Sequence, residues 1–78
     1  MPRYFFDTRD GNTLVRDDVG VVLASIEAAH HQATAGLADL ARDVLAGSVS
    51  RELAIEVRGE DHKPVLRASL ALETERLR

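Results

Sequence analysis

The stretch RELAIEVRGEDHKPVLRASLAL, residues 51–72, alternates twice between apolar and polar positions. Leu53, Ile55 and Val57 stand between Glu52, Ala54, Glu56 and Arg58. Leu66, Ala68, Leu70 and Leu72 stand between Val65, Arg67, Ser69 and Ala71. A period of two sorts side chains onto the opposite faces of a strand. A turn centred on Asp61-His62 sets Val57 opposite Leu66, Ile55 opposite Ala68 and Leu53 opposite Leu70. The same register sets Glu56 opposite Arg67 on the other face. One alignment therefore satisfies an apolar face and a charge pair together, as a hairpin with one buried and one solvated face requires.

Upstream the period changes. Ile26, Ala29, Ala33, Leu37, Leu40 and Val44 recur at steps of three and four, the stripe of an amphipathic helix. Asp39, Arg42 and Asp43 lie away from it. Ser25 suits the N-cap, and Glu27 falls in the first turn, where the helix dipole favours a negative charge. The helix is expected to end near Ala46, with Gly47 following as a left-handed terminator.

The chain begins with RYFFDTRDGNTLVRDD, residues 3–18. Residues 3–9 favour a strand, Asp10-Gly11 signals a tight hairpin, and residues 13–17 return as a second strand. Two registers are open. An Asp10-Gly11 turn sets Phe6 opposite Val15; a Gly11-Asn12 turn sets Asp7 opposite Arg16. Residues 19–23 form a connection with room for a short extended piece. The order is thus strand, strand, helix, strand, strand. The fold class expected is α+β, a two-layer ββαββ domain spanning residues 1–78. Its four-stranded, mainly antiparallel sheet takes the order 2-1-3-4, with one helix on one face. The order 2-1-4-3 ranks second because it makes strands 1 and 4 parallel.

Seventy-eight residues allow one small domain with a thin stability margin. The absence of cysteine removes disulfides and thiolate metal sites as staples, and small domains under that limit often gain core by associating. A cysteine-free chain fits a reducing cytoplasm. Met1-Pro2-Arg3 leads straight into a strand-like run, so no secretory leader is expected. No apolar run approaches the ~20 residues of a membrane span. A net charge of −3 works against non-specific nucleic-acid binding.

The chemistry-bearing residues form no recognisable set. Aligning Gly11 to position 6 of a calcium-binding helix-loop-helix puts Phe6 at the first ligand position, which rules that loop out. A looser site from Asp7, Asp10, Asp17 and Asp18 competes with Arg3, Arg9 and Arg16 interleaved among them. His30 and His31 are neighbours on a helix and diverge by about 100°, and Glu27 with His31 gives only two ligands where structural zinc takes four. His62 lies in a turn. No Ser, His and Asp arrangement suggests a nucleophile, and neither Gly47-Ser48 nor Gly20 makes a phosphate loop. The expectation is a non-enzymatic protein without a cofactor.

All three aromatic residues, Tyr4, Phe5 and Phe6, are contiguous. They split between the two faces of a strand, unlike the one-faced stacking platforms of single-strand RNA binders. The aspartates beside them would repel a phosphate backbone. Nucleic acid is therefore not the expected partner. One helix covers one sheet face, so some of Tyr4, Phe5 and Phe6 make a candidate partner surface.

The segments PRYFFD, DG, RDD..G, SIEAA and RELAIEVRGEDHKPVL, in that order, resemble a family of short uncharacterised proteins of soil bacteria classed as a domain of unknown function. The resemblance spans residues 2–75. It implies a compact stand-alone domain and no activity, cofactor or catalytic residue. The family often carries Gly after the Asp of the last turn, where this chain has His62, and its helix usually lacks the His30-His31 pair. The expected function is a protein-interaction or self-association module, acting as a homodimer. The alternative is a small regulatory domain binding nucleic acid or a toxin-like protein.

Overall fold

A computed structural model describes residues 1–78. The final hairpin forms in the register its alternation dictates. Strand β4, Ser50–Arg58, pairs antiparallel with β5, Pro64–Glu73, through Val57 with Leu66, Ile55 with Ala68, Leu53 with Leu70 and Glu56 with Arg67. The register shifts by one at the turn end, where Val65 of β5 is the extra residue opposite the Val57–Arg58 step.

The remaining strands are β1 (Arg3–Asp10), β2 (Thr13–Val15) and β3 (Val21–Val22). Every pairing is antiparallel, and the sheet runs β2-β1-β4-β5. The difference from the four-strand expectation is β3, a fifth strand paired with the start of β1 beyond the reach of β2. The second strand stops at Val15, not at residue 17, because Asp17 turns out of line to bind backbone amides.

The opening turn takes the Gly11-Asn12 form, with Asp10 opposite Thr13 and Thr8 opposite Val15. Gly11 alone has a positive φ there, at 60°. A glycine at the first central position suits a type II′ turn, whereas type I′ needs positive φ at both.

Helix α1, Ile26–Val44, begins at Ser25, whose Oγ accepts the Ala28 N–H at 3.2 Å. It ends at Val44, with the last residue of the apolar stripe and two residues before the expected Ala46. The Val44 carbonyl accepts from Ser48 Oγ at 2.9 Å and from Arg51 Nη1 at 3.3 Å, and the Ser48 N–H returns to Leu45 O. These donors satisfy the terminal carbonyls without another helical turn. Gly47 then reverses the chain at φ 81°.

The helix packs on β4 and β5 through small residues. Ala29 and Ala33 are fully buried and Leu37 nearly so. A Cβ on Gly36 would stand 3.1 Å from Ile55 Cδ1. Ile26, expected in the stripe, is 44% exposed because it lies at the helix start, clear of the covered strands. The core unites Tyr4, Leu53, Ile55 and Val57 with the three buried helix residues, and Phe6, Leu23, Leu40 and Val44 close its margins.

Close helix–sheet approach through Ala33 leaves no volume for a larger side chain. Ala33→Leu is expected to destabilise the fold by about 1–3 kcal/mol, while the same change at exposed Ala35 leaves the urea midpoint almost unmoved. Parallel denaturation curves check both.

Candidate functional site

The sheet face turned away from the helix carries the protein's polar machinery. Alternation along β1 sends Tyr4, Phe6 and Thr8 toward the helix and Phe5, Asp7 and Arg9 to the open face. On β4 the open-face residues are Ala54, Glu56 and Arg58. Cross-strand pairing sets Asp7 opposite Glu56, two acids side by side, and Phe5 opposite Arg58. Neighbouring arginines resolve the clash of like charges. Arg58 reaches across to Asp7, and Glu56 lies between Arg9 at 3.5 Å and Arg67 at 3.4 Å.

The Asp7–Arg58 pair is bidentate: Nε donates to Oδ2 at 2.7 Å and Nη2 to Oδ1 at 3.0 Å. Asp7 is 4% exposed and Arg58 7%. Charges so enclosed require further partners, and Arg58 has them. Nη2 also donates to Asp17 O at 2.9 Å, and Nη1 lies 2.8 Å from His62 Nδ1. A guanidinium has no acceptor, so the imidazole nitrogen accepts. The Phe5 ring lies 4.9 Å from Arg58 Cζ and 5.1 Å, centroid to centroid, from the His62 ring. These contacts hold His62 at φ 64°, a backbone region glycine enters more easily.

Asp17 fixes the loop that follows β2. Its Oδ2 accepts the Phe6 N–H, and its Oδ1 accepts those of Val19 and Gly20, all at 3.0 Å. Its own N–H donates to Asp7 Oδ1 at 3.0 Å. Gly20 is pressed against β1 at φ 77°, where a Cβ would come within 2.9 Å of Tyr4 O. No other residue fits that approach.

The electrostatics follow from these bonds. The Arg58 hydrogen bonds hold the Asp7 carboxyl below its ordinary 3.8, against the opposing effect of burial. Burial raises Asp17, but the backbone donors Phe6, Gly20 and Val19 together bring it below the same value. A second bidentate pair, Asp10 with Arg51 at 3.0 and 2.7 Å, lies on the helix side and likewise lowers Asp10.

A groove of about 480 Å³ crosses the open face above this network. Leu14 and Arg16 border it on one side, Val65 and Arg67 on the other, with Asp7 and Arg58 in its floor. Both Asp7 oxygens are occupied by donors, so this carboxylate is a structural anion and no free base. No group of three or more His, Asp or Glu side chains is arranged to hold a metal ion.

The aromatic trio does not form one surface. Tyr4 is buried in the core, Phe6 packs against that core, and Phe5 is half-buried on the opposite face beneath Arg58 and His62. His30 and His31 are exposed on the helix, away from His62. The carboxylates of Asp7, Asp10 and Asp17 each have their own donors, and Asp18 is exposed. Sequence reading missed Asp7 with Arg58 and the part played by His62. The available signal was Phe5-x-Asp7 on one face, matching Arg58 at the end of the opposite alternation.

The model of a family described as Domain of unknown function (DUF6894) matches residues 3–71, and the chain belongs to that family. No curated protein and no solved structure matches the chain. No helix is long and apolar enough to cross a membrane.

Asp7 and Asp17 are both lowered in the fold. Their stabilisation is therefore complete above the ordinary carboxylate value and is lost as pH falls through the lowered values. The melting temperature is expected to drop steeply below about pH 4. Asp7→Asn should lower Tm at pH 7 by about 10 °C or more and flatten the acid limb. An acid limb as steep in Asp7→Asn as in the unmodified protein would count against this assignment.

Proposed function

We propose that this DUF6894 member is a non-enzymatic protein-interaction module that works by self-association. The reading places it in a bacterial cytoplasm, a setting that a cysteine-free chain suits. The observation that carries it is an unfinished sheet. One alanine-rich helix covers one face, and only 11 of 78 residues are buried. The molecule extends 53 × 21 × 17 Å with a radius of gyration of 14.0 Å, against about 11.5 Å for a compact chain of this length. A core this small gains from a second layer or a longer sheet.

Enzymatic chemistry has little to draw on. The most enclosed carboxylate is neutralised by Arg58, and Glu56 of the same face is shared by Arg9 and Arg67. The same pairing weakens the nucleic-acid alternative. Arg9 and Arg67 share Glu56, while Arg58 and Arg51 are held by Asp7 and Asp10. Arg16 is left as the free cation of the groove, too little charge for a phosphate backbone.

Sedimentation equilibrium of the full chain at micromolar to tens of micromolar concentrations tests the reading. The expected outcome is a mass rising from one chain toward two. A single-chain mass throughout that range would overturn it.

A further inference from the structure

We propose that the partner is a second copy of this chain, joined edge to edge through β5 about a twofold axis at Leu70. The proposal rests on the self-association reading and names its surface and register.

The sheet has two edges, and they differ. On the β1 side the edge is broken into β2 and β3, three and two residues long, separated by the Asp17 loop. Short, interrupted edges resist strand addition. The other edge is β5, ten continuous residues with nothing against its outer side. Its one proline, Pro64, sits at the first position, and its inner partner is Arg58. The one bulge leaves Val65 next to it unpaired, and from Leu66 to Glu73 the register is unbroken.

Which backbone groups point outward follows from one bond. The Thr74 N–H donates to Val49 O at 2.8 Å, in continuation of the β4–β5 register. Hydrogen-bonding direction alternates along an antiparallel strand. Leu66, Ala68, Leu70 and Leu72 therefore turn their amides inward. Arg67, Ser69, Ala71 and Glu73 present theirs to the open edge. In a symmetric antiparallel pair these odd positions must meet odd positions.

A twofold axis at Leu70 meets that condition and matches the side chains as well. On the open face it sets Arg67 opposite Glu73 of the second copy, twice by symmetry, and Ser69 opposite Ala71. On the helix face it sets Leu70 against Leu70 and Ala68 against Leu72. Leu70 is 40% exposed in the single chain although it stands across from buried Leu53. The pair at the axis is of the non-hydrogen-bonded kind, in which opposed side chains approach most closely. Moving the axis to Ser69 or Ala68 preserves the backbone parity but separates Arg67 from Glu73. The sheet then continues through both copies with both helices on one face, and the two Leu70 side chains fill the space between them.

Charge exchange tests the register. Glu73 is exposed at the strand end and Arg67 lies on the open face, so neither change touches the core; Arg67→Glu gives up the contact with Glu56, which keeps Arg9. Glu73→Lys alone and Arg67→Glu alone are each expected to raise the dimer Kd by about tenfold or more, since two attractive pairs become repulsive. An equimolar mixture of the two variants should regain the unmodified affinity, because each Arg67–Glu73 contact is then again between opposite charges. Ser69→Pro, which removes one outward donor and no inner one, should also weaken association while the circular dichroism spectrum remains that of the folded chain. A dimer that forms unchanged in all three variants uses another surface and overturns the β5 register while leaving self-association standing. Failure of the mixed variants to recover affinity overturns it too. An unmodified protein that never dimerises removes both readings.

Discussion

Asp7 and Arg58 decide how this molecule is put together. Enclosing two full charges costs several kcal/mol per ion unless every donor and acceptor is matched. The match here recruits four segments: β1 supplies Asp7, β4 supplies Arg58, the loop after β2 supplies Asp17, and the last turn supplies His62. A one-residue slip of β1 against β4 would turn Asp7 to the helix face, beside Ile55 or Val57, and leave Arg58 without its anion. The pair therefore contributes registry more than net stabilisation. It selects a single pairing for two strands whose apolar residues alone would tolerate others, since Tyr4, Phe5 and Phe6 fit either face.

That lock has a counterpart at the other end of the same strand pair. Asp10 and Arg51 make a second fork on the helix side, and Arg51 continues to the Val44 carbonyl. A cation at a helix C-terminus is favoured by the dipole. One bridge ties the sheet to its loop and turn, and the other ties the sheet to its helix. With Ala29, Ala33 and Gly36 as the helix contact surface, the apolar core is thin. Polar forks from the middle and the end of β1 supply the positional definition that bulky packing gives larger domains.

The parts legible in the sequence are those set by neighbours in the chain. The β4–β5 hairpin follows from Leu53 to Val57 and Leu66 to Leu72 because one turn links them and one register fits both faces. The start of α1 follows from Ser25 and Glu27. The β1–β4 contact joins strands more than forty residues apart, and its decisive pair is diagonal. Looking for directly opposite charges offers Asp7 with Arg16, one turn away, and that pair does not form the lock. β3 was too short for any period to announce it. His62 was equally hidden, because its left-handed φ and its place on Phe5 exist only once Arg58 is fixed from the other side.

The segments that carry the family resemblance acquire a physical meaning from this arrangement. PRYFFD supplies the Phe5 platform, the Phe6 amide and the Asp7 anion. RDD..G supplies Asp17 and the Gly20 approach to β1. EVRGEDH supplies Arg58 and the turn that brings His62 to it. Every one of these groups is occupied in holding another part of the chain, with both Asp7 oxygens and most Arg58 donors committed. Groups so committed have little capacity left for a substrate. The recognisable pattern therefore records how the fold closes. The backbone groups left unmatched lie along the outer side of β5, where the amides at Arg67, Ser69 and Ala71 face away from the sheet.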